Sequence, residues 1–239
     1  MDLLKIRKDY TLFLQKLFSL IFFFCIFCNI GFAQKIVPVF YEDSVSFYIK
    51  DTAFVNKVIP KAFDDVVQLA LQYYPELNKT NIHFRIKKTK SPLAARPTLW
   101  SIFRKPIKRK YIITISNKTN AKLTAIMLEN LSFNAKVGVI GHELAHISCY
   151  NSKKVVYFIG LAFKHFSKKA IDKAEFDTDK KCIEHGLGFQ LLSWSKEVRE
   201  KLELKQWGGS NSPNGKRERY MNPKTIENYI NAFSIYKIK

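Results

Sequence analysis

His142-Glu143-Leu144-Ala145-His146 constrains this chain more than any other five residues in it. Positions i and i+4 stack on one face of an α-helix, so two imidazoles at this spacing can reach one metal ion. Glu143 lies next to the first of them, close enough to take a proton from a water on that ion. The surrounding sequence reads as a helix over Ala135 to Tyr150, with Asn134 as a plausible N-cap. Val137, Ile140, Leu144 and Ile147 fall on its core side. Gly138 and Gly141 are poor helix formers, and their presence predicts another backbone passing close by.

The first residues read differently. Lys5, Arg7, Lys8 and Lys16 precede an apolar run from Leu17 to Phe32, which ends in Gly31-Phe32-Ala33. Small residues at the −3 and −1 positions predict a secretory signal peptide, residues 1–33, cleaved before Gln34. The run is short for a membrane span of about 20 residues, which sets the anchor reading second. The expectation is therefore a single domain over residues 34–239 that is secreted, periplasmic or otherwise in the cell envelope. The segment carries four basic and two acidic side chains, so +18 of the formal +20 falls on that domain. Such charge suits anionic partners. Its scatter in short clusters such as Lys87-Lys88 and Lys180-Lys181 reads first as solvated surface, with an anionic envelope surface as the possible partner. No aromatic-basic nucleic-acid motif is present.

Along the expected domain, Ile36 to Ile49 predicts one or two short strands. Ala53 to Leu77 predicts a helix, with Pro60 as a kink or late start. Ile82, Phe84 and Ile86 alternate with polar residues, as in a half-buried strand. Ser91 to Lys110, with three prolines and many basic residues, reads as a surface loop. Tyr111 to Ser116 is the clearest strand. Val155 to Phe163 reads as a core helix, with a membrane-skimming face as the second reading. Further helices are expected over Lys168 to His185, Phe189 to Leu204, and from Asn222-Pro223 to about Phe233. Gly208 to Arg219 reads as a loop.

A catalytic zinc takes three protein ligands and keeps one position open. A histidine six residues after His146 would be one source of the third, but Ser152 stands there. Downstream, Glu175 and Asp179 lie one turn apart on one helical face. His165 and His185 are rival ligands, and His185, near the helix end, suits a C-terminal cap. The bland alternatives are surface histidines and solvated carboxylates beside Lys173, Lys180 and Lys181.

With H-E-x-x-H followed by E-x-x-x-D, the segment from Gly138 to Asp179 resembles the gluzincin group of zinc metallopeptidases. The resemblance implies His142, His146 and Glu175 as zinc ligands, Glu143 as general base, and Asp179 as the partner of a ligating imidazole. It also implies an α+β, zincin-like domain: a small mixed sheet packed on the active-site helix, and a mostly helical C-terminal half. An extended peptide or protein substrate would lie along the sheet edge, with Tyr111 to Ser116 as that edge. Tyr220, Arg199 and His185 are candidates for the oxyanion donor. Two other readings stand beside a zinc hydrolase of peptides. One is a non-catalytic envelope binding protein on the same scaffold; the other is a zinc hydrolase of non-peptide amides. If Asp179 contacts His142, the helices run antiparallel past the metal and hold Cys149 and Cys182 too far apart to bridge. That predicts two free, buried thiols.

Overall fold

Four short strands form the sheet: β1 (Lys57–Val58), β2 (Asn81–Ile86), β3 (Leu93–Pro97) and β4 (Lys110–Ile115). Their spatial order is β1-β2-β4-β3. The first three are parallel, and β3 closes the edge antiparallel to β4. This computed structural model describes residues 36–49, 54–164, 167–204 and 218–237. The expected signal segment, His165 and nearly all of the expected loop at Gly208 to Arg219 lie outside them. Ile36–Lys239 make up one unit by themselves.

Period-two burial makes the strands. Ile82 and Phe84 of β2 and Tyr111, Ile113 and Ile115 of β4 are buried beneath the helices. The helices of eight or more residues are α1 (Asp64–Leu71), α2 (Phe133–Asn151), α3 (Val155–Lys164), α4 (Lys168–Glu184), α5 (Gly188–Lys201) and α6 (Pro223–Ala232). The class is mixed α+β. Helix α2 is the centre, packing on α1, α4, α5 and β3 at once. A helix enclosed this way needs close contact on most sides, and its glycines provide it. A Cβ at Gly138 would fall inside the Gln190 carbonyl group of α5, so the expected backbone neighbour is there. At Gly141 the neighbour is instead a side chain, Leu187. The Tyr74 hydroxyl, following α1, donates to the Gly141 carbonyl at 2.6 Å.

Several expectations are corrected. Residues 36–49 contain no strand; they hold a short turn and the four-residue helix Val45–Tyr48. Side chains, not a sheet, take up the preceding backbone. Asn134 clamps the N–H and the carbonyl of Phe40 at 2.9 Å each, and Gln190 donates to the Val37 carbonyl. Asn134 is thereby spent and does not cap α2. The N-cap is Ser132, whose N–H and hydroxyl both donate to Glu197 of α5. The expected helix from Ala53 starts only after Pro60, and the residues before it include β1. Val55 and Val58 are exposed there rather than buried. The expected surface loop at Ser91 to Lys110 contains β3, so the sheet edge is Leu93–Pro97, and the Tyr111 strand lies inside the sheet. Its prolines sit before the strand and at its last position, where an edge strand loses no ladder bond.

Helix α4 ends at glycine, close to the expected His185. Gly186 has φ +96°, and the Leu187 N–H returns to the Cys182 carbonyl, closing a Schellman cap. Asn222-Pro223 opens α6 as expected. Cys149 and Cys182 are both free as expected, but only Cys182 is buried; Cys149, in the last turn of α2, is half-buried.

Candidate metal centre

Helix α2 brings His142 and His146 to one face, and α4 crosses it with Glu175 and Asp179. The Glu175 carboxylate lies 3.2 Å from His142 Nε2 and 3.3 Å from His146 Nε2. Ligand atoms of these three residues all fall within 4.8 Å of one another, so the group could hold a metal ion. Asp179 Oδ1 accepts from His142 Nδ1 at 2.8 Å, and its other oxygen accepts the Met221 N–H at 2.7 Å. Asp179 therefore fixes the ring and pins the segment before α6 beside it.

His146 has its own holder, which the sequence reading missed. The Thr178 hydroxyl donates to the Ala174 carbonyl at 2.8 Å, so its oxygen is left to accept from His146 Nδ1 at 3.2 Å. With both Nδ1 atoms donating, both Nε2 atoms turn toward Glu175, as lone pairs in the neutral rings and as donors to its carboxylate when protonated. Thr178 lies three residues after Glu175 on the same stripe, a spacing that could have flagged it.

Burial opposes charge on His142, but hydrogen bonds to Asp179 and Glu175 outweigh it and raise its pKa well above the ordinary value. Burial likewise pushes Glu175 upward, and its bonds to His142 and His146 reverse that and hold it well below the usual carboxylate range. Glu143 is raised, because burial dominates. One of its oxygens, Oε2, is buried without a hydrogen-bond partner, and the nearby Ala95 backbone of β3 only partly offsets the effect of burial. Three carboxylates and two imidazoles thus share one small buried volume. With neutral imidazoles this cluster carries excess negative charge, and two nitrogens plus an oxygen form a donor set that suits zinc.

Two cavities meet at the site. One, of about 640 Å³, runs along β3 and is lined by Ala95, Arg96, Glu143, His146, Glu175 and Tyr220, among others. The second, of about 270 Å³, is mostly apolar and is lined by His142 and Glu143 together with Leu123, Ile126, Leu128, Val139 and Trp194. Tyr220 lines both. Of the three candidate oxyanion donors, it is the one at the site, its ring centroid 5.8 Å from that of His142. Arg199 is consumed elsewhere, donating to the carbonyls of Ser195 and Met221 and to Asn222. His185 caps α4, contacting the Lys181 carbonyl and Glu76. Compared with known protein families, curated protein sequences and solved structures, the chain matches none.

Proposed function

We propose that this protein is a zinc-dependent metallopeptidase with a zincin-like domain, exported by its N-terminal segment and active outside the cytoplasm. The observation that carries the reading is the convergence of His142, His146 and Glu175 beside a buried, half-unpartnered Glu143. Zinc held by the three ligands would supply Lewis acidity toward a carbonyl and toward water. Glu143 takes the water proton, a task suited to a carboxylate whose proton affinity burial has raised, and passes it to the leaving amine. The Tyr220 hydroxyl donates toward the oxyanion. The outer edge of β3 offers backbone groups to an extended peptide, in the manner of an added strand. Ala95 of β3 lines the same cavity as Glu143.

Glu143→Gln tests the reading, since an amide cannot accept the proton. The variant should keep its metal and fold while losing at least about 10²-fold in hydrolysis of a peptide library. Full activity in this variant would remove Glu143 from the mechanism. Wild-type protein that holds zinc yet cleaves no peptide would favour the non-catalytic binding protein or the amide hydrolase.

A further inference from the structure

Between Glu76 and Glu129 the chain contains no acidic residue. This stretch holds β2, β3, β4 and the connection from β3 to β4. That connection is built as two 3₁₀ turns, Leu99–Phe103 and Pro106–Lys108. It presents four large apolar side chains to solvent: Trp100 is 78% exposed, Leu99 68%, Ile107 62% and Phe103 61%. Trp100 and Phe103 stand side by side, their ring centroids 6.5 Å apart. Around them Arg96, Arg104, Lys105, Lys108 and Lys110 are all exposed. Folded chains rarely leave a cluster of this kind uncovered.

The projection is firmly mounted. Arg109, almost fully buried, donates to the carbonyls of Tyr150 and Lys153 at 2.9 and 2.6 Å, and back to that of Arg104. Its guanidinium lies 4.9 Å over the Phe158 ring of α3. The turn is thereby fixed to the end of α2 and the start of α3, where Lys153, Lys154 and Val156 are exposed too. It also forms one wall of the long cavity, because Leu99, Ile102 and Phe158 line it together with Glu143 and His146.

We propose that the turn at Leu99 to Lys108 is an interfacial anchor that docks the mouth of the cleft on an anionic phospholipid surface. An indole and three apolar side chains at the tip suit the boundary between headgroups and acyl chains. The surrounding guanidinium and ammonium groups suit the phosphates above it. The charge complementarity favours lipid over a protein partner or a second copy of the chain, because the face lacks the carboxylates that would let it pair with itself. Among the described residues no helix is long and apolar enough to cross a membrane. The anchor goes beyond the proposed hydrolysis and does not depend on it.

The test uses the full chain with vesicles of phosphatidylglycerol and phosphatidylcholine brominated on their acyl chains. Tryptophan fluorescence should be quenched, and Trp100→Phe should abolish that part of the quenching, whatever the N-terminal segment does. Replacing Arg104, Lys105 and Lys108 together by Glu should raise the lipid concentration for half-maximal Trp100 quenching at least about tenfold, as should pure phosphatidylcholine vesicles. Removing metal with a chelator should change neither result, which separates this proposal from the fate of the hydrolase reading. Vesicle binding without any Trp100-dependent quenching would overturn it. So would equal quenching on uncharged vesicles, or self-association through the same residues in the absence of lipid.

Discussion

Asp179 does two jobs at the scale of the single residue. It fixes the His142 ring through Nδ1, and it holds Met221, whose neighbour Tyr220 faces the cleft. Asp179→Asn should keep the fold but weaken zinc binding about 10–100-fold, measured by competition with a chromophoric chelator. The same contact sets a pH dependence. In metal-free protein the His142 pKa is raised, so its protonated form stabilises the fold below the ordinary imidazole value of about 6.5. That contribution is lost as pH rises through the raised folded value. Zinc competes with the same proton, so its affinity rises over the same window. The thermal midpoint of chelated protein should fall, and zinc affinity rise, as pH increases above the ordinary imidazole value, with both trends flattened in Asp179→Asn. A flat wild-type profile would contradict the assignment. The three residues that could hold the metal were legible in the sequence because helical spacing is local information. Tyr220 was one of three candidate donors in the sequence, and only the crossing of the segment before α6, held through Met221, selects it; the spacing of Thr178 from Glu175 was visible, but its bond to His146 depends on where α4 crosses α2.

The elements were legible where their periodicity was strong and hidden where a single residue outweighed it. Helices α2, α4 and α5 carry regular apolar spacing and end near their expected positions. Strand β3 was hidden by Pro92, Pro97 and its basic neighbours, because the composition of an edge strand resembles that of a loop. Asn134 looked like a cap by type, but the Phe40 backbone claims it from 94 residues away, a contact that no local pattern carries. The close approach signalled by Gly138 did hold, and it supports a stability prediction. Gly138→Ala would press a methyl group into the Gln190 backbone, which cannot rotate aside, and should cost about 3 kcal/mol in denaturant unfolding. Gly160→Ala on α3, with nothing within 4 Å, should be neutral or stabilising by about 0.5–1 kcal/mol. Equal effects at the two positions would mean that α2 and α5 do not cross at Gly138.

At the scale of the whole molecule, charge and chemistry are divided along the sequence. The acid-free sheet region brings the basic and apolar surface. The helices that follow bring Glu143, Glu175 and Asp179, the carboxylates that gather around the two histidines. The overall basic balance was legible in composition, but its concentration beside one exposed aromatic turn was not, because exposure is a tertiary property. The expected export has a direct consequence at this scale. Intact-mass measurement of protein recovered from the envelope or medium of the producing cell should place its first residue at Gln34. A mass that includes residues 1–33 would make that segment an anchor. The proposal as a whole stands on the metal, and zinc content measured by plasma mass spectrometry on purified wild type and Glu175→Ala tests it most directly. The account predicts about one zinc per wild-type chain and strong loss in Glu175→Ala under the same dialysis. A wild-type chain that takes up no zinc, or a Glu175→Ala variant that retains it fully, would contradict it.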